Sequence, residues 1–590
     1  MQPLTQHLTD ILSDAFAAAG YDRSYGEVVV SGRPDLGQFQ CNGALPAAKA
    51  HGQKPRDIAA QIVAHLQQGA PIFADINLAG PGFINLTLSD PFLAQWLQAM
   101  ADDERRGVAP VATPRRVVVD YGGANVAKPM HVGHLRAGII GESIKRLFRF
   151  MGDDVIGDVH LGDWGTQMGM IIVELARRNP GWPYFDADNP GPFPAESPIT
   201  LTDLEEIYPA ASARAKEDTA VMEASRLATM ELQNGRAGYR ALWQHFVDVS
   251  VAGLKEDYGA LAIHFDLWLG ESDVQDCIDG MIARLQAQGC TSESQGALIM
   301  DIALPDDNKP TPPLILRKSD GAVMYGTTDL ATIDRRVQEL GAQLILYVVD
   351  HRQRQHFEQV FRAAYKSGIT PPEVGLEHNY FGTMNGKDGK PFKTREGGVM
   401  KLKDLIQLVI DAALARMAES HVADEYAEAE RLEIARMVGL AALKYADLMN
   451  QRMKDYIFDL DRFSSFEGRT GPYLLYTTVR ARSILTKAAA QSIAPGSILP
   501  PTVEAERALL LQLAQLPDAL RQAYETRMPS YMAEYIYTLA NEFNRFYNAC
   551  HILSERDTAV QTSWLGVTQL FLRVSELVLT LLGIEIPERM

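Results

Sequence analysis

Residues 125–136 read "NVAKPMHVGHLR", and the reading of this stretch decides the fold. Upstream lies "RVVVD" (Arg116–Asp120), a continuous apolar run that suits a parallel strand buried on both faces. Downstream, Leu135, Ile139, Ile140, Ile144, Leu147, Phe148 and Met151 fall at helical spacing. A strand whose loop feeds a helix N-terminus makes an anion site, because free backbone N–H groups and the helix dipole both favour phosphate. Gly133 lets the backbone come close to a ligand where a Cβ would block it. His131 and His134 are one turn apart, so both can face one point just above the helix start. Two imidazoles there can donate hydrogen bonds to phosphate oxygens as charge builds up at an in-line transition state. Taken alone, His-x-x-His is also a common accident or a structural pair. A metal reading needs further Cys, His or carboxylate ligands, and none is obvious nearby, so no metal site is expected. Strand, glycine and helix context together favour nucleotide binding.

Working outward, "DVIGDVHL" reads as a second strand leading into the Gly-rich "GDWGTQMG". Much later "LILYVVD" (Leu344–Asp350) precedes the helix-like "RQHFEQVFRAAYKSG". This strand–helix alternation predicts an α/β fold, a Rossmann-type doubly wound parallel sheet, over residues 111–455. A Pro-rich stretch and charged helices near 178–300 read as an insertion between its two halves. Residues 1–110 mix helical patterns with short alternating strands ("DINL", "FINLTL") joined by "AGPG", which predicts a small α+β domain. Residues 456–590 are nearly all helical in pattern and predict an all-α helical bundle.

With 590 residues the chain is too long for one hydrophobic core. Hydrophobic content of 46% and charged content of 22% are those of a globular protein. No apolar run suggests a membrane helix, and the N-terminus carries Asp10 and Asp14 without a basic region, so no membrane partner or leader is expected. Cys41, Cys277, Cys290 and Cys550 lie far apart without metal spacing, which points to a reducing, cytoplasmic setting. A net charge of −18 disfavours nucleic acid unless a local basic stripe exists. Such a stripe is offered by "RTGPYLLYTTVRARSILTK", where Arg469, Arg480, Arg482 and Lys487 interleave with Tyr473 and Tyr476. Packing of the tyrosines inside a bundle is the alternative.

"HVGH" matches the HIGH-type signature of class I aminoacyl-tRNA synthetases. The longer "DYGGANVAKPMHVGHLR", with "GDWGTQMG" beyond it, "AGPGFINLTLS" before it and a tail ending "PERM", closely resembles the arginyl-tRNA synthetase family over nearly the whole chain. The resemblance implies ATP-dependent ligation of L-arginine to tRNA(Arg) through an arginyl-adenylate. It implies ATP and Mg²⁺ on the substrate phosphates, and a monomer. Arginine's carboxylate is already ionised at neutral pH, so activation needs no general base. By the family pattern His131 and His134 sit on the ATP phosphates, with Gly133 under the nucleotide. Guanidinium recognition asks for planar acceptors, and the matching positions are Asp120, Asn125, Tyr325, Asp329 and Gln353. Capping remains open for Asp120 and Asp329, and core packing for Tyr325.

One departure is plain. The second class I signature becomes "NGKDGKPFKTREGG" (Asn385–Gly398), which lacks that signature's second lysine. Lys390, Lys393 and Arg395 in this loop, Lys393 also for ATP, and Lys128 before the histidines are the candidate catalytic cations. A solvated basic loop is the alternative. The helical tail resembles an anticodon-binding domain, and residues 1–110 resemble a domain contacting the tRNA elbow, with Phe83 and Asn85 as candidate contacts. Another HxGH-type nucleotidyltransferase, or a non-catalytic RNA-binding paralogue, would be the competing functions.

Overall fold

The computed structural model describes residues 1–67, 72–307, 311–319, 321–390, 400–421 and 425–590. The chain forms two compact units, one of residues 112–412 with 446–461, the other of 1–111 with 413–445 and 462–590.

In the first unit, strands Gly375–His378, Leu344–Val348, Arg116–Tyr121 and Asp154–Asp158 lie in that order, all parallel. Val117, Val118 and Val119 are fully buried, as a strand covered on both faces requires. The chain leaves the central strand Arg116–Tyr121 toward Asp154–Asp158 on one side, and returns through Leu344–Val348 on the other. That order makes a topological switch point between Arg116–Tyr121 and Leu344–Val348, where open α/β sheets bind ligands at the carboxyl ends of their strands. The expected Rossmann-type sheet is present.

The helix Val132–Met151 crosses from the central strand and is buried along almost its whole length. It can lie close because Gly141 has no side chain: a Cβ there would fall 2.3 Å from Tyr121 Cγ. Its buried charges are all met. Glu142 accepts from Tyr121 Oη at 2.7 Å and pairs with Lys145 at 2.8 Å, while Arg136 reaches Asp447 at 2.8 Å and the carbonyls of Gly382 and Lys454. The Arg136 contacts tie residues 446–461 to this unit.

The insertion builds its own core. Met168, Ile171, Ile172 and Leu175 of helix Thr166–Arg178 pack with Leu204, Leu232, Leu242 and Phe246 from the helices that follow. A small antiparallel sheet of Ser292–Ser294, Ala297–Met300 and Leu314–Arg317 packs elsewhere: its Met300, Leu314 and Leu316 share a core with Val118 and Ile345 of the parallel sheet.

The second unit holds an antiparallel sheet in the order Val28–Val30, Phe39–Cys41, Phe83–Leu88, Phe73–Ala79, with helices around it. It also contains the C-terminal helices, whose Arg507 reaches Asp90 at 2.7 Å and whose Arg573 reaches the Ala101 carbonyl at 2.6 Å. Residues 413–445 pack here although their sequence continues the nucleotide fold. Tyr445 Oη donates to the Ala533 carbonyl at 3.0 Å, and Arg436 pairs with Glu585 at 2.9 Å.

The helix Thr558–Leu581 is long and apolar enough to cross a membrane, which the sequence reading overlooked. It is the central helix of the bundle instead: 67% of its most apolar window is buried, and Phe571 stacks on Phe543 at 3.9 Å.

Candidate active site

The loop after Tyr121 turns on Gly122 and Gly123, whose φ of +96° and +56° lie in the left-handed region glycine favours. It then zips against the loop after the neighbouring strand. Val126 N–H donates to the Gly162 carbonyl at 3.0 Å, and Gly162 N–H to the Ala124 carbonyl at 3.1 Å. This pairing holds Asn125 against the "GDWG" segment beyond the carboxyl ends of the two strands.

His131 is the N-cap of the helix Val132–Met151, and His134 is its N3 residue. The Gly133 N–H donates to His131 Nδ1 at 3.0 Å, and the His131 N–H donates to His134 Nδ1 at 3.2 Å. A backbone N–H can only donate, so both Nδ1 atoms are acceptors and each neutral ring carries its proton on Nε2. The rings lie with centroids 4.0 Å apart. Burial, then the nearby His131, brings the His134 pKa down to about 3, and burial followed by Lys128 lowers that of His131. The result is two neutral Nε2–H donors at a helix N-terminus. Gly133 has a further reason to be glycine: a Cβ would lie 2.7 Å from His131 Cε1, so a side chain would push the capping ring away.

The acidic end is built differently from the expectation. Asp120, only 5% exposed, is held by Arg336, whose Nη2 lies 2.7 Å from both Asp120 and Asp158. A guanidinium of the chain itself thus occupies Asp120, because an unpaired buried carboxylate would be costly. Asp329 stands one turn into the helix Tyr325–Gln338 and bonds His356 Nε2, with His160 Nε2 at 4.0 Å from its other oxygen. Tyr325 opens that helix and is 62% exposed, so it is not a core residue. Gln353 ends a short turn beyond Leu344–Val348, at the same carboxyl edge.

Two residues were missed. Glu271 follows Gly270, and burial foremost, with Asp163 and Asp329 adding and His160 opposing, pushes its pKa up to about 7. His160 has a φ of +39° and both ring nitrogens buried without a partner. The imidazole thus stands beside the Asp329 and Glu271 carboxylates with its hydrogen-bonding capacity unused. "GESD" looks like an ordinary turn in sequence, so Glu271 carried no signal; His160 stood in a strand pattern.

Among the cations, Lys128 places its ammonium 5.0 Å from the centre of the Tyr208 ring. Lys390 closes a tight turn, its N–H donating to Asp388 at 3.1 Å and its carbonyl accepting from Gly386 at 2.8 Å. Lys393 and Arg395 lie outside the described residues.

In the helical unit, Tyr473, Tyr476 and Arg480 come together on the helix Gly471–Ala490. Arg480 lies over the Tyr476 and Tyr547 rings at 4.8 and 5.1 Å and bonds Asn544, which also donates to Tyr473 at 2.9 Å. Arg469 and Arg482 are committed to Glu534 and Glu576. Asn85 is 1% exposed and its amide accepts from Gln40 at 2.9 Å, so it braces the N-terminal sheet and does not face solvent; Phe83 is half-buried.

Comparison with known proteins agrees with this construction. Residues 97–460 match the family described as tRNA synthetases class I (R), catalytic domain. Residues 3–88 match the arginyl tRNA synthetase N terminal domain, and 474–590 the DALR anticodon binding domain. The chain is 53% identical to an arginine–tRNA ligase of Alkaliphilus oremlandii and 49% identical to one of Maricaulis maris, each alignment covering 100% of both chains. It has the fold of the arginyl-tRNA synthetase of Plasmodium falciparum, with a TM-score of 0.83 at 24% identity over 100% of both chains. Sheet, histidine pair and full-length similarity converge: the chain belongs to the arginyl-tRNA synthetase family of class I aminoacyl-tRNA synthetases.

Proposed function

We propose that this protein activates L-arginine with ATP and transfers the arginyl group to tRNA(Arg). The observation that carries the reading is the pair of neutral imidazoles at a helix N-terminus, each with Nδ1 held by a backbone N–H and its proton on Nε2. Arginine's carboxylate attacks the α-phosphorus, pyrophosphate leaves, and the adenylate is then consumed by the tRNA's terminal ribose. His131 and His134 donate to the phosphate oxygens as charge develops in transfer. They bring no positive charge, so the phosphates also need cations, which include Lys128, the signature loop with Lys390, Lys393 and Arg395, and Mg²⁺ arriving on the nucleotide.

The guanidinium binds between Asp329 and Glu271 under the Tyr325 ring, and the amino-acid end lies toward Asn125 and Gln353. Asp120 acts at one remove, fixing Arg336 below the pocket. Selectivity follows, because a substrate lacking the guanidinium leaves the buried acceptors unpaired. Tyr473, Tyr476 and Arg480 with Tyr547 offer a stacking face for anticodon bases, and Phe83 a contact from the N-terminal domain. Four free cysteines suit a reducing cytoplasm, and the protein works as a monomer. The test is acid-precipitable label from each of several amino acids in unfractionated tRNA: arginine alone should be incorporated, and incorporation of another in its place would refute the assignment.

A further inference from the structure

Residues 400–402 run antiparallel to Met130–Val132. Val132 N–H donates to the Met400 carbonyl at 3.2 Å, and Leu402 N–H to the Met130 carbonyl at 3.0 Å. These bonds flank the bridged pair His131 and Lys401, which makes it a non-hydrogen-bonded pair. Partners in that register sit about 4.5 Å apart at Cα with side chains on the same face. Lys401 therefore emerges beside His131, at the mouth of the anion site.

Its ammonium is turned aside, 2.7 Å from Glu205 of the helix Leu201–Glu217. With 51% and 26% of the two side chains exposed, this pair is weakly held. Lys128 and Lys403 line the same cavity, and Lys403 lies 3.6 Å from Asp257. Three lysines thus stand over two carboxylates, with one positive charge in excess.

We propose that Lys401 is a phosphate-binding residue of the activation step, parked on Glu205 until nucleotide arrives. The inference rests on the reading that puts the polyphosphate at the histidine pair. A triphosphate carries several negative charges against one on Glu205, and a flexible lysine stem moves between them at small cost. Lys401 transfers no proton; it neutralises charge on the departing pyrophosphate. It so supplies part of the charge that the signature's absent second lysine would have given.

Arginine-dependent ATP–pyrophosphate exchange, run with tRNA present on K401M, K401R, E205Q and H134Q, tests this. K401M should lower kcat/KM for ATP roughly ten- to hundredfold, K401R should recover most of the loss, and E205Q should lower the KM for ATP because the lysine is no longer held. A K401M enzyme with unchanged ATP kinetics overturns the proposal. So does E205Q matching the loss in K401M, which would make the pair a strut. H134Q separates the two levels: if it is impaired and K401M is not, only Lys401 fails; if H134Q uses ATP normally, the site reading falls and Lys401 with it.

Discussion

The backbone N–H of His131 donates to Nδ1 of His134 at 3.2 Å, so the helix start itself fixes which nitrogen of the second ring carries the proton. The two imidazoles are therefore held neutral, and protonating the Nδ1 of either costs its bond in the cap.

That cost has a pH signature. With the His134 pKa near 3 in the folded state and the ordinary 6.5 unfolded, the unfolded chain binds the extra proton between these values. Its contribution to stability is thus lost as pH falls from about 6.5 toward 3. Urea melts of the wild type and H134Q across pH 4–7 should show a shallower slope in the variant; equal slopes would mean that His134 titrates normally.

Gly133→Ala tests the cap without substituting either histidine. Its Cβ would meet the His131 ring at 2.7 Å, and a displaced donor should lower kcat/KM for ATP by roughly ten- to hundredfold while the melting temperature shifts little. Wild-type kinetics in the alanine variant would leave the glycine without that role.

Asp329→Asn should weaken arginine binding by roughly 1.5–3 kcal/mol, read as KM or by calorimetry, because a charge-assisted acceptor is removed. Glu271→Gln should act through pH. A folded pKa of about 7 leaves Glu271 half-charged near neutrality, so wild-type affinity for arginine should rise from pH 6 to pH 8. The variant should lose that dependence. The same raised pKa means that ionising Glu271 without ligand costs stability, lost as pH rises through about 7.

Arg336→Met leaves Asp120 and Asp158 buried and unpaired. Breaking such a cluster from one side should cost about 3–5 kcal/mol in denaturant unfolding. Adding D120N and D158N should recover much of the loss; no recovery would mean that the arginine acts through packing alone.

Arg480→Ala should weaken tRNA binding and reduce its salt dependence by roughly one ion, whereas Arg482, already bonded to Glu576, should matter less. Nitrocellulose binding over a salt series distinguishes the two, and equal effects would deny Arg480 its place on the stacking face.

What was legible in the sequence follows from range of interaction. The buried valines of Arg116–Tyr121, the glycine between the histidines and the helix beyond them are set by local pattern, and they appear where the pattern places them. Arg336 on Asp120 joins residues 216 positions apart, and Glu271 reaches the pocket from the end of the insertion; no periodicity or spacing reports either. Asn85 had the right polarity for RNA but sits on a strand face turned inward, a matter of register. The apolar helix Thr558–Leu581 shows the converse, since composition alone does not say whether lipid or protein covers it.

The most direct measurement is ATP–pyrophosphate exchange with each of the twenty amino acids, with and without tRNA, on the wild type and on H134Q. The account predicts exchange with arginine alone, and a large loss in the variant. Exchange driven by another amino acid, or an H134Q enzyme as active as the wild type, would contradict it.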